Sequence, residues 1–180
     1  MLTNNYYSLF GMCLTSNDTS TYHPFTTTDG DVKYYRYFSN NASQYVENGL
    51  GLSSAGTIAS SVNSLGILFC DGTTAPKVSD YTISGKIIKG LTISTIKTAD
   101  LDEPGTIAKN VLYTITNGNS TPVTISEIAY VYNVYGYAGN SSTLGSIYTL
   151  LDRTVLDVPI TIEPGSVGQI TYTVKLNYPA

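Results

Sequence analysis

Along the last third of the chain, apolar residues alternate with polar ones. Ile170, Tyr172, Val174 and Leu176 fall on one face of an extended segment, and Thr171, Thr173 and Lys175 fall on the other. A period of two predicts a strand with one buried and one wet face. Just before it, Glu163-Pro164-Gly165-Ser166 sets Pro and Gly where a type II turn needs them. Residues 110–116 read as a strand running into Asn117-Gly118. Asn-Gly is the strongest short-range hairpin signal, because both central positions of that turn take φ > 0. Gly118 and Gly165 are therefore both expected at positive φ.

Upstream the same reading continues. Residues 6–14 are apolar and read as a strand, 15–31 as a Thr-rich loop, and 32–38 as a strand with aromatics on both faces. Residues 40–63 are rich in Ser, Asn and Gly, with a short helical turn near 42–46. A second series follows: a strand at 66–70, a turn at 71–76, a strand opened by Asp80-Tyr81 and continuing through Ile87-Ile88, and another at 91–96. Residues 100–105 read as an acidic loop. In 123–134 the apolar phase changes at Ser126-Glu127, which means either a β-bulge that restores one core face or a central strand covered on both sides. A long polar loop at 136–146 leads to strands at 150–156 and 158–162. Pro159 cannot donate to a ladder and puts the last of these at a sheet edge.

No segment sustains a 3.6-residue period, so helix content is expected to be low. Many short strands separated by Gly, Pro and Asn turns predict an all-β chain, a β-sandwich of immunoglobulin-like or jelly-roll type. The expected organisation is a single sandwich domain over 1–180, with a segment of about 1–64 forming an N-terminal extension or assembly arm.

Composition sharpens this picture. Charged residues are 12% of the chain, about half the usual share, while the hydrophobic fraction of 42% is ordinary. A surface of hydroxyls and amides loses little solvation when it meets a partner. The 16 tyrosines, with no tryptophan, supply broad apolar area with a polar tip, which suits interfaces. The bland alternative is an ordinary β-domain with Thr on its outer faces. A net charge of −4 with scattered Lys and Arg argues against nucleic acid and against an anionic membrane surface. The first residues lack the basic and apolar regions of a secretory signal, and no apolar run reaches membrane-spanning length. The sequons at Asn17, Asn41, Asn119 and Asn140 carry no weight in so Asn-rich a chain.

Candidate chemistry is sparse. Cys13 and Cys70 lack CxxC spacing, and with one histidine they cannot complete a structural zinc site; they are expected as buried free thiols, with a disulfide as the alternative. His23, before Pro24 in the Thr-rich loop, has no nucleophile motif beside it. Asp100, Asp102 and Glu103 sit in one turn, whereas a glycosidase needs two carboxylates across a cleft. No calcium loop and no phosphate-cradling glycine motif is present. The expectation is a non-enzymatic protein with no catalytic residue, no metal and no cofactor.

Two features remain. Glu127 and Asp152-Arg153 place charge inside apolar strands, where charge is costly unless paired. Arg153 is expected to pair with a carboxylate, Glu127 being one candidate, and so to fix the register of two strands; the alternative turns both side chains to solvent. The aromatic strand Tyr34, Tyr35, Arg36, Tyr37, Phe38 is the candidate interface, with Tyr34, Arg36 and Phe38 on one face and Tyr35 and Tyr37 on the other. Burial beneath 40–63 is the competing account.

Parts of the chain resemble structural proteins of tailed bacteriophages. Gly72-Thr-Thr-Ala-Pro76 with Asp80-Tyr81 downstream resembles a "G-T-T-x-P…D" turn of phage tail and fibre-associated proteins. Thr114-Ile-Thr-Asn117, Val123-Thr-Ile-Ser-Glu-Ile128, Leu151-Asp-Arg-Thr-Val-Leu156, Pro164-Gly165 and Ile170-Thr-Tyr172 resemble the motif order of small virion β-domains, with Ala129 where that pattern usually has Gly. The resemblance implies a virion structural protein, a capsid-associated, neck or tail component. It would assemble in the host cytoplasm as a homo-oligomer and with other virion proteins. The alternative is a receptor- or carbohydrate-binding module of a fibre or adhesin. It would use the tyrosines at 34–38 and 130–137 as stacking platforms for a host-surface glycan.

Overall fold

The computed structural model of the chain describes residues 1–14, 20–36, 58–103, 106–138 and 144–177; the side chains of 13–14, 95–103, 106–109, 135–138, 144 and 174–177 lie outside that description. A helix α1 (Asn4–Leu14) is followed by strands β1 (His23–Thr26), β2 (Val32–Arg36), β3 (Gly66–Cys70), β4 (Leu91–Glu103), β5 (Thr106–Asn117), β6 (Val123–Ala138), β7 (Leu144–Ile162) and β8 (Val167–Asn177). Strands hold 56% of the chain and helix 8%, so the fold is all-β and sandwich-like, with the low helix content expected. Contacts divide the chain into two compact units: Met1–Ile88 with Ile125–Pro159, and Lys89–Thr124 with Ile160–Ala180.

The first unit holds a five-stranded sheet in the order β1-β2-β6-β3, with β7 also paired to β6. All five residues of β3 are buried, and so is every residue of β6 from Ile125 to Tyr132. The β3–β6 register runs unbroken from Gly66↔Val131 to Cys70↔Glu127. Burial of consecutive residues from Ile125 to Tyr132 favours the second reading of the phase change, a central strand covered on both faces. Leu68, Cys70, Ala129, Val131 and Leu150 form its core with Ala59. β7 is one strand of 19 residues where two were expected. Among the described strands it pairs only with β6, so Pro159 does sit in an edge strand.

Residues 6–14 are helical, not extended. Tyr6, Leu9 and Met12 recur every third residue and turn inward, but Tyr7 and Phe10 stay exposed and blur the stripe in the sequence. Polar anchors hold this helix. The buried Thr3 hydroxyl donates to the Leu150 carbonyl at 2.6 Å. The Asn5 amide donates to the Thr26 carbonyl and accepts from the Thr26 N–H, at 2.8 and 2.7 Å. Asn5 thus replaces a strand neighbour for β1, which forms inside the stretch expected to be loop. His23 accordingly lies half-buried in β1, near Gly11 of the helix, and not in an exposed loop.

The second unit is a three-stranded antiparallel sheet, β4-β5-β8. Val111, Tyr113, Ile115 and Asn117 are buried in strict alternation along β5. Opposite them Ile170 and Tyr172 are buried and Thr171 and Thr173 exposed, as the alternation predicts; the side chains of Val174 and Leu176 lie outside the description. Asp100, Asp102 and Glu103 belong to β4, paired to Lys109, Ile107 and Thr106, so the expected acidic loop is strand up to Glu103.

The Pro164-Gly165 turn is as expected: Gly165 has φ 69° and Ser166 N–H donates to the Glu163 carbonyl at 3.0 Å. Gly118 is not at positive φ, and Asn117-Gly118 makes no hairpin; β5 and β6 belong to different sheets. The reason is the Asn117 side chain, which is fully buried. Its Nδ2 donates to the carbonyls of Thr121 and Ile162, both at 2.9 Å, and its Oδ1 accepts from Asn119 N–H at 2.9 Å. Its backbone N–H and carbonyl bond Ser166 and Gly165. Asn117 is a hub between two connections, so its value lies in these five polar contacts and not in a left-handed backbone.

Asn117→Ala should therefore destabilise the protein by roughly 3 kcal/mol in chemical denaturation, because it orphans buried carbonyls and an N–H. Gly165→Ala should cost only about 1 kcal/mol, since nothing lies within 4 Å of the added Cβ and only the backbone conformation objects.

Candidate functional site

The densest polar chemistry of the first unit starts from two buried side chains. Glu127 is fully buried in the first third of β6, and Arg153 is 2% exposed on β7. Neither could stay in an apolar layer alone, because an isolated charge there loses its whole hydration shell. The guanidinium divides its donors three ways: Nε to Glu127 Oε1, Nη1 to Asp80 Oδ2, and Nη2 to the Thr74 carbonyl. The expected Arg153–Glu127 pair is formed, joining two strands across the sheet. Burial alone would lower the Arg153 pKa, but hydrogen bonds to Glu127 and Asp80 outweigh it and push the pKa above its usual value.

Glu127 is held from the other side by backbone. Ser84 N–H donates to Oε1 at 3.0 Å and Gly85 N–H to Oε2 at 3.1 Å, with the Ser84 hydroxyl at 3.2 Å from Oε1. Asp71 accepts Lys86 N–H at 2.6 Å, and Asp80 accepts Lys77 N–H at 2.8 Å. These carboxylates take amide hydrogens that a ladder would otherwise use. That is why the stretch from Asp80 to Ile88, expected as a strand, forms no strand beyond the isolated bridge Cys70↔Ile87. Two glycines make the close approach possible. A Cβ on Gly72 would overlap Glu127 Oε2 and Ser84 Oγ, and one on Gly85 would overlap the Gly72 backbone. Asp80, Ser84, Gly85 and the Thr74 carbonyl escape a reading by strand pattern. The glycines Gly72 and Gly85, set in otherwise polar segments, are the signal that could have found them.

Beside this cluster opens a cleft of about 350 Å³ lined by Thr74, Lys77, Ser79, Asp80, Tyr81 and Arg153. Arg153 already satisfies Glu127, Asp80 and a carbonyl, so its charge is committed to structure. On the other face of the cluster, burial first and then the carboxylates of Glu127 and Asp71 push the Cys70 thiol up to about 12. Cys70 is free and buried, and as a thiol it is a core residue.

The candidate interface strand divides by face. Tyr34 is 54% exposed, and Val32 beside it on the same face is 53% exposed. Tyr35 is buried and meets Phe25 edge to face, with ring centroids 6.3 Å apart. Arg36 is half-buried with its guanidinium over the Tyr22 ring, 5.6 Å from the centroid. Tyr37 and Phe38 lie outside the described residues. Tyr130 and Tyr132, expected on a second stacking platform, are buried in β6 at 5% and 6% exposure, because that strand is covered on both faces.

Arg153→Met should destabilise the protein by about 3–5 kcal/mol, since it strands the Glu127 and Asp80 carboxylates. Arg153→Met with Glu127→Gln should be the more stable of the two variants, and the double-mutant cycle should give a coupling above about 1 kcal/mol. The thiol gives a pH prediction. Its folded pKa of about 12 lies above the ordinary thiol value of 9.0, so its contribution is full below pH 9 and is lost as pH rises toward 12. The stability difference between wild type and Cys70→Ala should therefore change only above pH 9.

Comparisons of the chain with protein families, with curated proteins and with solved structures find no match.

Proposed function

We propose that this chain is a non-enzymatic structural subunit that acts by assembling with copies of itself and with other proteins, in the setting of a tailed-phage virion to which its sequence motifs point. The observation that carries the assembly reading is the outward face of the β1–β2 ribbon. There Val32 and Tyr34 stand exposed, with Pro24 paired to Tyr34 and also exposed. Asn5 of α1 already meets the outer edge of β1, so a neighbouring copy would approach this ribbon by its exposed face, without disturbing the core. An apolar pair beside a tyrosine hydroxyl, on a chain with few charges, combines area with directed hydrogen bonding at low desolvation cost. The best-developed ionic cluster supports the same reading, because its charges are consumed in bonding one another and the backbone.

Tyr34→Lys should leave the melting transition within about 0.5 kcal/mol of wild type and reduce the assembled fraction in light scattering coupled to size exclusion. Tyr35→Ser should do the reverse, lowering stability because it removes the ring packed on Phe25. Normal assembly of Tyr34→Lys would defeat this contact. The virion setting is checked by mass spectrometry of purified particles, which should contain the chain in stoichiometric copy number.

A further inference from the structure

An edge strand carries a row of N–H and C=O groups that only water or another strand can satisfy. The three-stranded sheet has two such edges, β4 and β8, and no strand among the described residues pairs with the outer side of either. The two edges differ. β4 breaks register between Ile93 and Thr95, and its far end carries Asp100, Asp102 and Glu103. A bulge and clustered charge are the usual obstacles to strand addition. β8 has neither. It pairs with β5 without interruption from Thr106↔Asn177 to Thr116↔Val167, contains no proline, and has Lys175 as its one charged residue. Its exposed side chains of known placement are neutral: Val167, Gln169, Thr171 and Thr173.

We propose that the outer edge of β8 is a contact surface whose occupant is β8 of a second copy, paired antiparallel about a two-fold axis at Tyr172. This rests on the self-assembly reading above and places a second contact in the other unit of the chain. The register follows from the strand itself. Tyr172 is the middle residue of Val167–Asn177, so a two-fold there overlaps all 11 residues. Opposite positions in an antiparallel pair share a face, so even-numbered positions meet even-numbered ones and the buried face continues across the joint. Ile170 then stands opposite Val174 of the second copy, Thr171 opposite Thr173, and Gln169 opposite Lys175. The single charge of each strand meets a neutral amide, twice by symmetry, and no like charges face one another. An isologous pair of this kind closes on itself as a dimer.

The symmetric Gln169–Lys175 juxtaposition makes the proposal testable at one exposed position. Gln169→Glu creates two opposite-charge pairs across the joint, and Gln169→Lys creates two like-charge pairs. Within one chain the two positions are six residues apart on an extended strand, too far to interact strongly. Sedimentation equilibrium of the full chain at low salt should show Q169E tighter and Q169K weaker than wild type. Their dissociation constants should differ by on the order of tenfold, the gap narrowing at high salt, with unchanged melting. Amide exchange along β8 should slow as protein concentration rises. Wild type that stays monomeric at every concentration overturns the self-assembly reading and this contact together. Wild type that assembles, with Q169E and Q169K indistinguishable from it, overturns the β8 contact alone. The reverse order, Q169K tighter than Q169E, also overturns it and assigns the edge to the acidic β4 strand of the neighbour.

Discussion

A carboxylate with no access to water governs the first unit. Glu127 lies within the stretch of β6 that is buried on both faces, and so must be solvated entirely by the protein. Arg153 supplies the countercharge from β7, and two backbone amides and a hydroxyl supply the remaining hydrogen bonds. Every other member of the cluster then has a reason. Asp80 is needed because Arg153 is itself buried and has donors to spare; the Thr74 carbonyl takes another of them. Gly72 and Gly85 are needed because a side chain at either position would occupy the space of the carboxylate or of the backbone that cradles it.

This arrangement explains an irregular segment between β3 and β4. Between Asp71 and Ile88 the N–H groups of Lys77, Ser84, Gly85 and Lys86 donate to carboxylates where a strand would donate to a neighbour. Carboxylate acceptors are strong and accept from several directions, so they can hold a curved path that a ladder cannot. The second unit uses a neutral version of the same device. Asn117 satisfies two carbonyls and an amide at the end of β5, where the chain leaves one sheet and later enters the other. In both places a buried polar side chain takes over hydrogen bonds that regular structure leaves unmade, which is the condition for burying backbone at all.

The interior and the surface divide the polar work unevenly. The strongest charge pairing lies inside, where it fixes strands and the wrapped segment. The outward faces of β2 and β8 carry Tyr, Val, Thr and Gln. Such faces are stable in water yet lose little on contact, so the features that make the fold and those proposed to make its contacts do not compete for the same residues.

Local chemistry made part of this legible from the chain alone. The alternation over residues 170–173 of β8, the strand at β3 and the type II turn at Pro164-Gly165 each follow from side-chain period or backbone constraint within a few residues, and all three stand. The charge on Arg153 could be read as needing a carboxylate, and Glu127 was a candidate, because the cost of burying charge is independent of fold. What the chain could not specify was which groups would complete the cluster. Asp80, Ser84 and Gly85 lie 73 and about 43 residues from the side chains they bond, and their segment reads as an ordinary strand until a carboxylate claims its amides. The same holds for α1, whose stripe is broken by Tyr7 and Phe10 and whose helix is anchored by Thr3 and Asn5 reaching β7 and β1. Asn117-Gly118 carried the local signal of a turn, and the burial of Asn117 among distant carbonyls overrode it. Periodicity and turn chemistry are properties of neighbours in sequence, whereas the satisfaction of a buried polar group depends on neighbours in space. Only the tertiary structure brings those together.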